Sequence, residues 1–268
     1  MSSASNDPRL PVMFIGHGSP MNAIEDNRFT REWQKITGTF PKPKAILCIS
    51  AHWETSGTRI LAVEKPRTIH DFGGFPDALY RMQYPAPGSM ALAERVSHLL
   101  ADRTAFSDEW GLDHGAWAVL MRMFPHADIP VIELSLDRTQ PPPYHYDIAR
   151  ELSALRDEGV LLLGSGNMVH NLGMIEMRGN SLNEPYGFDW ALEASDMFKR
   201  HITAHSHQPL IEYPKLGEHA RMAIPTPEHF LPLLYILALE RADERMRFFN
   251  DIAIGGSLTM TSIISERE

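Results

Sequence analysis

Five histidines stand at points where the chain leaves a regular element. The apolar run VMFIG leads into His17, AILCIS leads one residue later into His52, and VLLLGSGNMV leads into His170. His229, in AIPTPEHF, comes just before or at the start of the apolar stretch 231–239, and His114 sits in GLDHGAW with Asp113 beside it. Neutral imidazole is a common metal ligand at neutral pH. Three such ligands leave positions open for substrate, as a catalytic metal requires and a closed structural site does not. A single histidine after a strand is more often a hydrogen-bonded loop residue. His17 and His52 are a stronger case, because each lies among small residues, Gly16, Gly18 and Ala51. As a metal-binding pair they need a third ligand, and His229 is the candidate. His114 reads equally as a polar helix-start residue and as a functional group. The other histidines are plainer: His98 falls on the outer side of an amphipathic pattern, His145 follows a run of prolines, and His70 opens an aromatic-rich loop.

These side chains need elements to hold them. Short apolar runs at 11–15, 45–49, 59–63, 129–134 and 160–163 are rich in Val, Ile and Leu and do not alternate with polar residues. That is the pattern of strands covered on both faces. Helical spacing occurs between them. Leu92, Val96, Leu99 and Leu100 share a face within 90–103; Ile148, Leu152 and Leu155 share one after Asp147, an expected N-cap; Trp190, Met197, Phe198 and Ile202 mark another. The segments 68–88, 140–144 and 176–188 read as loops, and GGSLTMTSIIS as a last strand. Strands alternating with helices predict a single α/β domain: a central, mostly parallel or mixed sheet with helices on both faces. The whole chain, 1–268, is expected to be one catalytic domain, with 1–10 a flexible N-terminus. In open α/β sheets ligands bind beyond the carboxyl ends of the strands, so His17, His52 and His170 converge if their strands are neighbours.

Composition removes several alternatives. With 25 Lys and Arg against 34 Asp and Glu, the formal charge is -9, which disfavours nucleic acid and anionic membranes as partners. The single cysteine, Cys48, excludes an internal disulfide and fits a reducing, cytoplasmic setting. MSSASNDPRL lacks the basic start and apolar stretch of a signal peptide. No apolar run reaches the roughly 20 residues of a membrane span. There is no H-E-x-x-H, P-loop or Cys-x-x-Cys. Gly164-Ser165-Gly166 lacks the third glycine of a dinucleotide fingerprint, and GHGSP is not the G-x-S-x-G of a serine hydrolase.

Seven motifs occur in order: GHGSP at 16–20, SAHWE at 50–54, HDFGGFP at 70–76, YPAPG at 84–88, DHG at 113–115, GSGNMVHNL at 164–172 and PTPEHFLPLLY at 225–235. Together they closely resemble the class III extradiol ring-cleavage dioxygenases, in the branch similar to 4,5-DOPA extradiol dioxygenase. The resemblance implies extradiol cleavage of a small catechol such as DOPA, with both atoms of O2 incorporated. It implies one divalent metal per chain on His17, His52 and His229, with catalytic roles for His170 and His114 and with His170 a fourth ligand in some metal-bound forms. Iron(II) is expected for dioxygen chemistry, and zinc(II) is the other metal found in this branch; zinc has no accessible redox change. Protocatechuate-cleaving relatives use two histidines and a glutamate, whereas the third position here is His229 with Glu228 beside it. Phe72, Phe75 and Tyr80 are candidates for the aromatic wall of the substrate site, and equally for ordinary core. Two other functions use the same residues: a zinc-dependent hydrolase, and a non-enzymatic metal-binding or signalling protein of the same fold.

Overall fold

In the computed structural model, which describes residues 9–101, 103–178 and 182–268, six strands form one sheet. They are β1 (Val12–Gly16), β2 (Ala45–Ser50), β3 (Val131–Glu133), β4 (Val160–Gly166), β5 (Glu244–Phe249) and β6 (Ser262–Arg267). Their spatial order is β3-β2-β4-β1-β6-β5. The first four run parallel, while β6 pairs antiparallel with β1 and β5 antiparallel with β6. Successive side chains of a strand point to opposite faces. Val12, Phe14, Leu47 and Leu162 therefore enter one apolar cluster, and Met13, Ile15, Cys48 and Leu161 the other. Both faces being covered, the strands carry no polar alternation.

The main helices are α1 (Arg28–Ile36), α2 (Met90–Leu99), α3 (His114–Met123), α4 (Pro142–Arg150), α5 (Asp189–Thr203) and α6 (Leu231–Ala238). Trp33 of α1 and Trp117 of α3 pack on the Met13 face; Val96 of α2, Ile148 of α4, Phe198 of α5 and Leu234 of α6 pack on the Phe14 face. The expected single α/β domain is present, with helices on both sides. No helix among the described residues is long and apolar enough to cross a membrane.

Several local expectations are corrected. The run at 59–63 is not in the main sheet: Thr58–Leu61 pairs with Thr104–Ser107 in a separate two-stranded ladder. The helix expected after Asp147 begins at Pro142, inside the proline run read as a loop. Proline's fixed φ and missing N–H suit a first helical turn, and Asp147 is interior to the helix. That helix ends at Arg150, and Leu155 is buried from a short 3₁₀ turn, Ser153–Arg156. Strand β5 was not anticipated because ERMRFF mixes charged with apolar residues, as suits the sheet edge it occupies. The C-terminal run divides into Leu258–Thr259, paired with Ala253–Ile254, and β6.

The N-terminal expectation is also narrowed. Leu10 is buried and its amide donates to the Arg156 carbonyl at 3.0 Å, while Arg9 pairs with Asp243. The chain is thus held from Arg9 onward, and the remainder of the expected flexible stretch, 1–8, lies outside the described residues. Cys48 is fully buried in β2, where burial, then the charges of Glu133 and Asp113, pushes its thiol pKa well up.

Candidate metal centre

The strand order explains why the histidines meet. β4 lies between β1 and β2, in register so that Gly16 opposes Gly166 and Ser50 opposes Ser165. His17 leaves β1 and His52 leaves β2 on either side of the β4 carboxyl end. From the other side comes His229. Its carbonyl accepts from the Asn167 amide at 2.9 Å, and a Cβ on Gly166 would lie 2.1 Å from that carbonyl oxygen. Only glycine lets the two backbones approach so closely. α6 begins at Leu231, with Pro232 in its first turn, so His229 lies just before the helix.

One nitrogen from each of His17, His52 and His229 lies within 4.8 Å of the others. The ring nitrogens turned away from this point have acceptors. His17 Nδ1 is 3.0 Å from Ser165 Oγ, whose own proton goes to the Gly115 carbonyl at 2.6 Å. His52 Nδ1 is 3.3 Å from Asp71 Oδ2, and His229 Nδ1 is 3.0 Å from Glu228 Oε1. Each Nδ1 is thereby assigned the hydrogen, and each Nε2 keeps a lone pair. Burial first, then the charges of neighbouring histidines, holds His17 and His52 well below the usual imidazole pKa. Burial also lowers His229, against the opposing pull of Glu228. All three are neutral donors at neutral pH.

The nitrogen spacing tests whether a metal fits. His17 Nε2 and His52 Nε2 are 3.3 Å apart. Two lone pairs at that distance repel unless a cation or proton lies between them. Two ligand nitrogens about 2.0–2.1 Å from one tetrahedral ion are separated by about 3.3 Å. The donor set therefore fits a divalent metal.

Three further groups surround it. His114 opens α3, with Asp113 as N-cap, and its ring centroid is 3.9 Å from that of His52. Asp71 receives the His114 amide on Oδ1 and His114 Nδ1 on Oδ2, both at 2.9 Å. Burial opposes ionisation of Asp71, but these hydrogen bonds hold its carboxyl below the usual carboxylate range. His170 stacks on His229 with ring centroids 3.4 Å apart and planes within 6°. Its nitrogen groups with Glu228 and His229, not with His17 and His52. Burial, then the charge of His229, pushes its pKa down to about 3. Beneath the site, Asp113 Oδ1 accepts from Ser50 Oγ at 2.6 Å and the Asp113 amide donates to the buried Glu133 at 3.1 Å. Burial and the charge of Asp113 push the Glu133 carboxyl well above its usual range.

Of the aromatic candidates, Phe72 borders the site, its ring 5.6 Å from that of His114. Phe75 and Tyr80 pack against Phe72, with ring centroids 5.4 and 5.2 Å away. His70 turns away, with Nε2 3.0 Å from the Met82 carbonyl, and His205 and His207 face the buried Glu240 away from the site. Asp71, Ser165 and Glu228 were not singled out from sequence as the partners of the histidines. Asp71 lies within the HDFGGFP motif, which is the one signal that pointed toward it.

Comparison with known proteins agrees with this geometry. Residues 11–251 match the family described as the catalytic LigB subunit of aromatic ring-opening dioxygenase. The chain belongs to this family and is a ring-opening dioxygenase. It is 47% identical to the 4,5-DOPA dioxygenase extradiol of Escherichia coli (strain K12), covering 95% of this chain and 94% of that protein. It is 37% identical to the enzyme of the same name from Beta vulgaris, covering 96% and 97%. The crystal structure of an uncharacterized protein from Escherichia coli K12 superposes with a TM-score of 0.80 at 41% identity, over 96% of this chain and 99% of that one. The family favours the dioxygenase over the hydrolase and the non-enzymatic alternatives.

Proposed function

We propose that this enzyme cleaves the ring of a small catechol amino acid of the DOPA type, breaking the carbon–carbon bond beside the diol and incorporating both atoms of O2. The observation that carries the reading is the convergence of three Nε2 atoms whose Nδ1 partners are Ser165, Asp71 and Glu228. His17, His52 and His229 would hold one divalent metal, iron(II) for turnover, with zinc(II) an inactive occupant of the same ligands. When bound, iron supplies the redox chemistry that lets dioxygen react with the ring.

The chain's own groups do the rest. His170, neutral because of its burial, takes a proton from a catechol hydroxyl at Nδ1 or Nε2 and returns it as the ring opens. Its stacking on His229 and its separation from the His17–His52 pair favour this role over that of a fourth ligand. His114 is oriented by Asp71, which takes its Nδ1–H and leaves the Nε2 lone pair for the site; once Nε2 has taken a proton from the catechol, its N–H donates to the oxyanion that develops on the substrate. Phe72 forms the apolar wall against the ring, with Phe75 and Tyr80 holding it in place. The buried thiol of the single cysteine supports a cytoplasmic setting.

The test is anaerobic reconstitution of metal-free protein with iron(II), followed by DOPA and then air. A yellow ring-opened product with one O2 consumed per turnover is expected. Absence of product from DOPA, caffeate and protocatechuate alike would refute the reading.

A further inference from the structure

Three neighbouring parallel strands each carry one polar side chain at the carboxyl end: Glu133 in β3, Ser50 in β2 and Ser165 in β4. All three are fully buried. A polar group enclosed in an apolar strand costs stability unless it is hydrogen-bonded. These three make their bonds to one place, the first turn of α3. The Asp113 amide donates to Glu133 Oε1 at 3.1 Å, Ser50 Oγ donates to Asp113 Oδ1 at 2.6 Å, and Ser165 Oγ donates to the Gly115 carbonyl at 2.6 Å. His114 stands between the two residues so held. The hydroxyls also touch two metal-ligand candidates. The His52 amide donates to Ser50 Oγ at 3.2 Å, and His17 Nδ1 lies 3.0 Å from Ser165 Oγ. Ser50 and Ser165 oppose one another in the β2–β4 register. The turn sits tightly on them: a Cβ on Gly115 would lie 2.6 Å from Ser50 Oγ and 3.0 Å from Cδ2 of His52. Asp113 already caps α3 through the Ala116 amide, so the helix does not need the serines in order to begin.

We propose that Ser50, Ser165 and Glu133 are positioning residues that fix His114 against the metal ligands, each serine hydroxyl joining one ligand histidine to the turn that carries His114. The proposal rests on the ring-cleavage reading above and names what keeps its proton-handling group in place. Asp71 grips His114 itself; the strand residues hold its two neighbours in the chain. A shift of about 1 Å at a reacting group can cost roughly 100-fold in rate. Loss of one hydroxyl frees the turn to make such a shift, while the His52 ring keeps its contact with Asp71. Ser50 therefore acts on turnover through His114, and Ser165 acts on both turnover and the seating of His17.

The experiment is a double-mutant cycle with His114. In iron-loaded protein, Ser50→Ala should lower kcat roughly 10- to 100-fold while KM changes less than about threefold. With His114→Ala already present, the same change should cost less than about twofold, because the group it positions is gone. An equal loss in both backgrounds, or no loss in either, would overturn the proposal. General damage to the fold acts whether or not His114 is present, so it cannot imitate the expected result. Ser165→Ala at saturating iron gives a second cycle with the same expectation, which decides the matter if Ser50→Ala does not fold. A readout without turnover comes from 4-nitrocatechol, whose ionised form absorbs at longer wavelength. Bound to zinc-loaded protein under argon at fixed pH, its ionised fraction should fall in Ser50→Ala and in His114→Ala, and no further in the double variant. That pattern, with no oxygen uptake from any catechol, would keep the positioning role and refute ring cleavage. Oxygen uptake by wild type with additive losses in the cycle would do the reverse.

Discussion

Asp71 grips His114 twice, receiving its backbone amide on one carboxylate oxygen and its Nδ1 on the other, each at 2.9 Å. The second oxygen also lies 3.3 Å from Nδ1 of His52. One carboxylate therefore orients both a metal-ligand candidate and a catalytic candidate. Replacing Asp71 by Asn keeps the size but removes the charge and makes one contact a donor. Metal affinity, read by competition with a chelator, should fall by roughly 10–100-fold, and turnover should fall further because His114 loses its fixed tautomer. Unchanged metal affinity would show that Asp71 does not support His52.

The ligand set and the proton-handling residues separate by metal content. His17→Ala and His52→Ala should each lose most bound metal, measured by mass spectrometry of purified protein. His114→Ala should retain it while turnover drops roughly 10²–10⁴-fold. His170→Ala should lose no more than roughly 10–100-fold in metal affinity if it acts beside the metal. Equal retention in all four variants would place the metal elsewhere.

Gly166 gives a structural test of the same site. An added Cβ would meet the His229 carbonyl oxygen at 2.1 Å. Overpacking of this kind costs about 1–3 kcal/mol, which for a chain of this size lowers Tm by roughly 2–10 °C. Gly166→Ala should also weaken metal binding, because the displaced backbone is that of the ligand candidate His229. Gly38→Ala, where nothing lies within 4 Å, is the control and should change neither quantity.

His145 predicts an acid-side loss of stability away from the metal. It is fully buried, with Nδ1 3.2 Å from the Tyr235 hydroxyl, and burial pushes its pKa down to about 4, against smaller opposing effects of Asp137 and Gln140. The unfolded chain binds the proton near the ordinary pH of about 6.5. The neutral ring's contribution is thus present above about pH 6.5 and is lost as pH falls toward 4. Between pH 7 and 5 this amounts to about 2 kcal/mol. Urea unfolding of metal-free protein should show that His145→Gln, though less stable at pH 7, loses about 2 kcal/mol less than wild type on acidification. Parallel profiles would rule this out.

The fold and the meeting of the histidines were legible because both follow from short runs. Apolar strands covered on both faces end at His17 and His52, and parallel neighbours must bring those ends together. What was hidden depends on contacts between distant segments. Ser165, a small polar residue inside an apolar strand, gives no sign that it receives His17 Nδ1. Asp71 and Glu228 carry no spacing that identifies their imidazole partners. Strand β5 was missed because an edge strand tolerates the charges of ERMRFF. The start of α4 was missed because prolines that end a helix also begin one. Phe72, Phe75 and Tyr80 are alike in sequence, and only the packing shows that the Phe72 ring lies beside that of His114.

The burial of Cys48 bears on what the enzyme survives. Catechols oxidise in air to quinones, electrophiles that alkylate exposed thiolates. Here the one thiol in the chain is enclosed in the central sheet and held protonated by its surroundings, and it is the thiolate that reacts. The folded enzyme thus presents no sulfhydryl target to the by-product of its own substrate, and quinone should arylate it at cysteine only after the sheet has opened.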